Sequence, residues 1–466
     1  TNEFNEKLEH SDNNIFVNKI NALTLAVTMG NIEIIKNLLS RSEIKINPIN
    51  YYTYYSLAEP VIKSSFKFHD DKTVTLVSEM TALNVAIVAQ NLEVTELLLK
   101  HKDIDVNIKF NETRAIDGTE IVLREKHATP LHLAIEKENF EIFELLINQN
   151  NIDLNAEYLY SAFYYGAENE DGYYRTTKMN AMHLAIEQGF AARFFVCNFI
   201  LLGGRVKCNC KSYIKKETID RKLLIVIEDT ELTHAVRKGN AMTVKDLLYS
   251  PTLKINSLSY EKMIDSNITP EINALYGFDN DEEELYEIKE PSALHIAVSE
   301  KNVEIVDLLL KTGEMDINEV LTSKSLIEKH GKLFKENKKS PLHIAIENND
   351  SKMVEFLLKN KDIDVNMKQY DLELGAAAIQ SKDSMHSLSR TEEDTPLHMA
   401  IMNGNESIVK LLLAHKKTLI NQKKISKQII EDKNVVVLEK EYNEIQLAAE
   451  HNNVEIVKYL IENEDI

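Results

Sequence analysis

The sequence has no tryptophan, only three cysteines, and few glycines and prolines, with 13 and 8 among 466 residues. Such scarcity of glycine and proline excludes a flexible low-complexity chain. Cys197, Cys208 and Cys210 are too few for a disulfide framework, and they lack the paired spacing of a zinc site. We therefore expect free thiols in a reducing, intracellular compartment, most simply the cytoplasm.

Long apolar runs are also absent, and acidic residues outnumber basic ones. The most apolar stretch, residues 194–204, is too short to cross a bilayer, and the first ten residues lack the pattern of a secretory signal. Lys and Arg number 54 against 74 Asp and Glu, which gives a net charge of −20. This charge disfavours nucleic acid and membrane insertion, and it favours a protein partner with a basic surface.

A short module recurs nine times, centred on a small alanine in a helix-like segment. The spacing of these alanines varies from 48 residues, between Ala86 and Ala134, to 62 residues, between Ala235 and Ala297. A constant core with irregular spacing indicates a fixed module joined by variable inserts. The nine alanines are Ala26, Ala86, Ala134, Ala185, Ala235, Ala297, Ala345, Ala400 and Ala448.

Each module has the pattern of two short helices. Thr129-Pro130 places a capping hydroxyl before a proline at the first helical position, and Leu-His-x-Ala then gives one apolar face. A turn rich in Gly and Asn follows, then a second helix with apolar residues at helical spacing, as in residues 303–310. No such pair can bury its apolar face alone, so stacked copies are predicted.

The segments TPLHLA (129–134), SPLHIA (340–345) and DTPLHMA (394–400) resemble the ankyrin repeat, and the resemblance covers residues 21–466. It implies a mainly α fold, an α-solenoid of about nine repeats. We expect an N-terminal cap at 1–20, repeats one to four at 21–229 and repeats five to nine at 230–466. Four copies hold Thr24, Asn84, Thr233 and Gln446 at the histidine position.

Copy four has an unusually aromatic second helix that includes Phe194, Phe195 and Phe199. It is interpreted either as a hinge between two blocks of repeats or as the filling of a differently shaped gap, and the second interpretation is favoured.

The residues between modules occupy the place of the ankyrin β-hairpin, so the resemblance implies enlarged hairpins. Runs rich in β-branched residues, at 73–80, 120–126, 223–229 and 434–441, support strands there. We infer long hairpins that project from one edge, and their pairing into a side sheet is left open. Long inserts of this kind are similar to those of large protist ankyrin families.

Two inserts contain ten of the 18 tyrosines. Tyrosine offers rigid contact area with a hydroxyl group, so these residues are predicted to bind a partner. Packing between neighbouring hairpins is the equally weighted alternative. The predicted partner-binding residues are Tyr51, Tyr52, Tyr54, Tyr55, Tyr158, Tyr160, Tyr164, Tyr165, Tyr173 and Tyr174.

Charge separates between the inserts. The fourth and sixth inserts are rich in lysine, whereas the fifth carries the acidic segment 279–287. Solvated loops are the first interpretation, complementarity between neighbouring inserts the second, and capture of a basic partner the third.

Two patterns imitate metal sites. His132, His183, His295, His343 and His398 recur at one module position, but copies stacked about 10 Å apart cannot share one zinc ion with ligands at about 2 Å. The resemblance implies a structural role for these histidines. Residues 362–373 imitate a calcium loop but hold Met367 where glycine is required. We expect no metal and no cofactor.

No nucleotide-binding or hydrolase motif is present, so no catalytic residue is assigned and the chain is predicted not to be an enzyme. The leading function is a non-enzymatic scaffold that binds another protein through the concave face and the extended hairpins. One alternative is the targeting module of a larger enzyme or effector. Another is a structural protein that self-assembles by pairing hairpins between chains.

Overall fold

The computed structural model divides the chain into two compact units, one of Thr1–Asp220 with Tyr249–Leu253 and one of Arg221–Leu248 with Lys254–Ile466. We refer to them as unit 1 and unit 2. The structure describes residues 4–10, 14–57, 73–116, 121–164, 172–188, 211–218, 223–250, 253–265, 285–327, 332–377, 386–430 and 435–462.

In each repeat a first helix of seven residues precedes a second of eight, and for the fourth copy only the first helix lies within the described ranges. In unit 1 they are α1 (Ala22–Thr28), α2 (Ile32–Leu39), α3 (Ala82–Val88), α4 (Leu92–Leu99), α5 (Pro130–Glu136), α6 (Phe140–Ile147) and α7 (Ala181–Glu187). In unit 2 they are α8 (Glu231–Arg237), α9 (Ala241–Leu248), α10 (Ala293–Ser299), α11 (Val303–Leu310), α12 (Pro341–Glu347), α13 (Ser351–Leu358), α14 (Pro396–Met402), α15 (Glu406–Leu413), α16 (Glu444–Glu450) and α17 (Val454–Ile461).

Local sequence explains where the helices begin. Asn91 precedes α4, and its Oδ1 accepts a hydrogen bond from the Val94 N–H over 3.1 Å. Asn31 caps α2 in the same way, with Ile34 as the donor. An asparagine at this position satisfies an N–H that has no partner inside the helix, which stabilises each short helix by about 1 kcal/mol.

Small and branched apolar residues form the core between neighbouring repeats. Ala86 and Ala134 are fully buried, and each lies on a first helix that packs against the first helices before and after it. The second helices contribute larger side chains, including the fully buried Leu98 and Phe143. Burial of such a side chain stabilises the fold by about 1.5–3 kcal/mol, and stacking is what buries it.

Asparagine side chains join consecutive repeats at the Asp-Val-Asn segments. Asn107 donates from Nδ2 to the Asn151 carbonyl over 2.8 Å, and its Oδ1 accepts from the Asp153 N–H over 2.8 Å. Asn318 makes the same two bonds to Asp362 and Asp364 in unit 2. The asparagine of one repeat thus holds the backbone of the next in register.

The inserts form strands, and within each unit consecutive strands pair antiparallel. Unit 1 contains β1 (Phe4–His10), β2 (Asn14–Ile20), β3 (Asn50–Leu57), β4 (Thr73–Met80), β5 (Phe110–Ile116), β6 (Val122–Ala128), β7 (Tyr158–Tyr164), β8 (Tyr173–Met179) and β9 (Ser212–Thr218). Unit 2 contains β10 (Leu223–Asp229), β11 (Tyr260–Asp265), β12 (Leu285–Lys289), β13 (Leu321–Ile327), β14 (Lys332–Lys339), β15 (Gln369–Ala377), β16 (His386–Asp394), β17 (Lys424–Ile430) and β18 (Val435–Tyr442).

The mainly α class expected from the sequence is therefore wrong. Strands account for about as many of the described residues as helices do, and the hairpins pair with each other rather than standing apart. The reason is geometric, because stacked helices lie about 8–10 Å apart and a two-stranded hairpin is about 9.6 Å wide. Hairpins on successive repeats consequently meet edge to edge and complete each other's backbone hydrogen bonds.

Several predictions concern residues outside the described ranges. They include the aromatic stretch 194–204, the three cysteines, Tyr165 and most of the acidic segment 279–287. Within the described ranges, no helix combines the length and the apolar composition needed to cross a membrane.

Candidate functional site

One face of the unit 1 sheet points toward the ends of the first helices. Lys126 on β6 pairs with Glu136 at the end of α5 over 2.6 Å, and Arg175 on β8 lies 3.6 Å from Glu187 at the end of α7. Side chains alternate along a strand, and directly opposite residues share a face. The register therefore assigns alternate residues of β3 to β9 to this surface, up to the irregularity at Arg114 and Ala115 where β5 pairs with β6. We call it the helix-side face.

The tyrosines of β3 divide between the two faces. Tyr52 and Tyr54 lie on the helix-side face, opposite Ser78 and Leu76 of β4, whereas Tyr51 and Tyr55 lie on the other face. Burial raises the pKa of the Tyr52 hydroxyl. Tyr51 is 40% exposed. The four tyrosines that the sequence places in one insert therefore form two patches, one on each face of the sheet.

The tyrosines of β7 and β8 are closer together. Tyr164 and Tyr173 are directly opposite and stack, with ring centroids 5.4 Å apart and an interplanar angle of 14°. Tyr160 lies on the same helix-side face. Tyr174 lies on the other face, where its ring centroid is 5.1 Å from that of Phe163.

Tyr158 belongs to the core. It is 5% exposed, and its hydroxyl donates to Glu136 Oε1 over 2.9 Å. Its ring lies 5.5 Å from that of His132. Burial and the neighbouring Glu136 carboxylate raise the pKa of this hydroxyl. These contacts give Tyr158 a role in joining the sheet to α5 rather than in contacting a partner.

A row of cations on the helix-side face was not identified from the sequence. Arg114 on β5 is directly opposite Arg124 on β6, and Arg175 on β8 is directly opposite Lys216 on β9. Ala162 on β7 lies between the two pairs, opposite both Arg124 and Arg175. These cations come from three different inserts, so only the strand register places them in one row.

Neighbouring groups hold the cations of this row in place. Arg124 pairs with Glu112 over 2.7 Å. The Lys216 ammonium lies 4.1 Å from the centre of the Tyr173 ring, within the range of a cation–π interaction. Arg175 acts on Tyr164, whose pKa is raised by burial and lowered in part by this cation. The tyrosines and the cations therefore form one electrostatically connected surface.

The sheet of unit 2 has a corresponding side that borders α10 and α12. A cavity of about 440 Å³ lies there, lined by residues such as Lys289, His295, Asn337 and Lys339. Its charges are largely paired, since Lys289 lies 3.0 Å from Glu261 and Lys339 lies 2.7 Å from Glu347. This cavity is polar and salt-bridged, unlike the apolar pockets that bind most small ligands.

The recurring histidines are buried and hydrogen-bonded within the repeats. His398 Nε2 lies 2.9 Å from the Gln422 carbonyl, and His132 Nδ1 accepts from the Thr129 N–H over 3.1 Å. Burial lowers the pKa of His132 to about 3, and that of His343 and His398 to about 4. Neutral histidines that link a helix start to its neighbours have the structural role that the sequence implied.

Stacked pairs of short helices with a histidine at the helix start and a hairpin insert define a repeat protein in which the inserts pair into a sheet. A family model of ankyrin repeats in three copies matches residues 51–158, 263–369 and 372–466, which is more than half of the chain. The chain belongs to the ankyrin-repeat family. Ankyrin repeats are generally modules of protein–protein interaction. No curated protein matches the chain.

Proposed function

We propose that this protein is a non-enzymatic scaffold that binds a partner protein on the helix-side face of the unit 1 sheet. The observation that supports this most strongly is the position of Tyr54, Tyr164 and Tyr173 on one face, each partly accessible. Rigid aromatic rings that carry a hydroxyl group are among the side chains that most often supply binding energy at interfaces.

The size of the face is suited to a protein rather than to a small molecule. Strands β3 and β7 are four strand spacings apart, so Tyr54 and Tyr160 are separated by about 19 Å. The whole face from β3 to β9 extends about 29 Å across the strands. A span of this size matches one side of an ordinary protein–protein interface.

The chemistry of the repeats also supports binding without catalysis. Burial lowers the pKa values of His132 and His398; His132 Nδ1 accepts from the Thr129 N–H, and His398 Nε2 bonds to the Gln422 carbonyl. Buried imidazoles that make such hydrogen bonds stabilise the fold and are not positioned to transfer protons to a substrate.

The test replaces Tyr54, Tyr164 and Tyr173 together by serine. Partners captured from the source cell by the wild-type protein are quantified by mass spectrometry, and the melting curve of each variant is recorded. We expect the variant to lose its principal partner at least tenfold while its melting temperature stays within a few degrees.

Tyr249→Ser is the matched control, because this tyrosine is 75% exposed and lies outside the sheet. It should leave capture unchanged. Equal loss in the control, or undiminished capture by the triple variant, would show that the sheet tyrosines do not form the binding surface.

A further inference from the structure

Copies five and nine differ from the other copies in the first residue of their first helix. Glu231 begins α8 and Glu444 begins α16, whereas the other seven copies have alanine or proline at this position. Glu231 is fully buried and Glu444 is 1% exposed. Because the copies with alanine or proline stack in the same way, a carboxyl group is not required here for folding.

The Glu444 carboxyl group lies at the contact between copies eight and nine. Its Oε1 accepts a hydrogen bond from the Gln422 N–H over 3.0 Å, and the Gln422 carbonyl lies 2.9 Å from His398 Nε2 on α14. The same Glu444 Oε1 lies 3.9 Å from His398 Nε2. The backbone of Gln422 thus joins the first helices of two neighbouring copies.

The His398 ring is held in its neutral form and gives Glu444 no counter-ion. Its Nδ1 accepts from the Thr395 N–H over 3.3 Å, so the ring proton is on Nε2, which donates it to the Gln422 carbonyl. A second proton on Nδ1 would break the bond to Thr395. Burial lowers the pKa of this ring to about 4.

The lysines around His398 are already paired. Lys424 on β17 lies 2.7 Å from Asp394 on β16, and Lys368 lies 2.9 Å from Glu393. Tyr442 on β18 is directly opposite Lys424, and its hydroxyl donates to Glu450 at the end of α16. The charged and titratable groups near the contact are therefore committed to partners other than Glu444.

An ionised Glu444 would be a buried charge with backbone donors but no cation to pair with among the described residues. Its Oε2 is buried and has no hydrogen-bond partner in the described part of the chain. Burial raises the pKa of this carboxyl group, although the N–H groups of Glu444, Gln422 and Asn421 lower it in part.

We propose that Glu444 is a pH-sensitive latch, which holds copy nine against copy eight while its carboxyl group is neutral and weakens this contact when the group ionises. The first helices α14 and α16 pack together, as do the second helices α15 and α17. Separation of these pairs would return the carboxylate to water and remove the cost of burying it. The latch lies in unit 2 and does not depend on the partner site proposed for unit 1.

The contact between copies eight and nine should tighten as the pH falls. Because the folded pKa of Glu444 lies above the ordinary 4.5, the docked copy binds more protons than the undocked copy between these two values. The contribution to docking is fully present below about 4.5 and is lost as the pH rises through the folded pKa. The buried histidines act in the opposite direction below 6.5, so variants that share these histidines are compared.

Hydrogen exchange of the 466-residue chain, read by mass spectrometry between about pH 4.5 and about pH 8, measures this effect. The amides of α16 and α17 report the undocking of copy nine, and those of α10 and α11 are the internal reference. We expect the ratio of protection factors, Glu444→Gln over wild type, to rise several-fold with pH, since glutamine does not ionise. A tenfold rise corresponds to about one unit of difference between the two pKa values.

Two further substitutions complete the test. Glu444→Ala introduces the residue that four other copies have at this position, and its ratio should rise with pH in the same way. Glu462→Gln removes an exposed carboxylate directly after α17, and its ratio should not change with pH. A constant ratio for both Glu444 variants, a ratio that falls as the pH rises, or the same trend in Glu462→Gln would overturn the inference.

Discussion

Asn50, the first residue of β3, donates from Nδ2 to Thr24 Oγ1 over 2.8 Å. Thr24 holds the α1 position at which five other copies have histidine. The Oδ1 of Asn50 accepts from the N–H and from the Nδ2 of Asn21, the residue that caps α1. A strand residue thus completes the hydrogen bonding of a repeat that lacks the histidine.

We predict that Asn50→Ala destabilises unit 1 by about 2–4 kcal/mol, because it leaves buried donors and acceptors without partners. Urea denaturation followed by circular dichroism measures the change. The control is Asn37→Ala on the exposed side of α2, which should change the unfolding free energy by less than about 0.5 kcal/mol. A loss no larger than that of the control would show that Asn50 does not join β3 to α1.

Tyr158→Phe should lower the free energy of unfolding by about 1.5–3 kcal/mol, since its hydroxyl donates to the Glu136 carboxylate in a mostly buried site. Tyr51→Phe is the matched change in an exposed tyrosine and should have little effect. Chemical denaturation of both variants provides the comparison. Should the two behave alike, the assignment of Tyr158 to the core would be incorrect.

Arg237→Met should destabilise unit 2 by about 3–5 kcal/mol because it leaves a buried carboxylate without its counter-ion. Arg237 Nε lies 2.8 Å from Asp229, which is fully buried, and its Nη2 lies 2.7 Å from Glu261. Burial opposes ionisation of Asp229, but the hydrogen bonds and charge of Arg237 hold its pKa below the ordinary value.

Thermal and urea unfolding measure this loss. Lys311→Met is the control, since its pair with Asp307 is exposed and should contribute little. Arg237→Lys tests the geometry, because a lysine keeps the charge but not the planar fork, and it should recover only part of the stability. If Arg237→Lys had the full stability of the wild-type protein, the contacts of the guanidinium with both Asp229 and Glu261 would not be what stabilises unit 2.

Stability should fall as pH decreases from about 6.5 to about 4. His132, His343 and His398 have folded-state pKa values of about 3, 4 and 4, below the ordinary 6.5, because burial disfavours the charged ring. Between these values the unfolded chain binds more protons than the folded one, so the unfolding free energy rises with pH across the window. At pH 5 each histidine accounts for a loss of about 2 kcal/mol.

Urea denaturation at several pH values checks this slope. His398→Gln is a suitable variant, because copy nine has Gln446 at the same position and its Oε1 accepts from the Asn443 N–H over 3.1 Å. In this variant the unfolding free energy should depend less steeply on pH, by the contribution of one histidine. An unchanged pH dependence would mean that His398 is not buried and neutral in the folded state.

The helices could be predicted from the sequence because their signals are local. Thr129, Pro130 and His132 lie within one turn, and they define the start of α5 without reference to any distant residue. The hairpins could be predicted from their β-branched runs. The predicted mainly α fold class was wrong because no local sequence pattern shows that one hairpin pairs with the next. The strands were therefore treated as additions to a helical array.

The candidate site was predictable only in part. The tyrosine-rich inserts are visible as composition, but whether a given ring faces solvent depends on its face of the sheet and on the helix beneath it. Tyr158 and Tyr164 are six residues apart on the same face of β7, yet one is buried against α5 and the other is 36% exposed. The cation row was missed because Arg114, Arg175 and Lys216 are brought together only by the register of separate hairpins.

The sequence by itself determined the repeat, its helix caps and the alternation of strand residues, because those depend on interactions within a few residues. Only the tertiary structure decided that the hairpins form a sheet in each unit, which side chains meet across it, and that an acidic chain presents a basic row. The physical reason is that stacking fixes the distance between repeats. That distance matches the width of a hairpin, and it sets the register that no local segment contains.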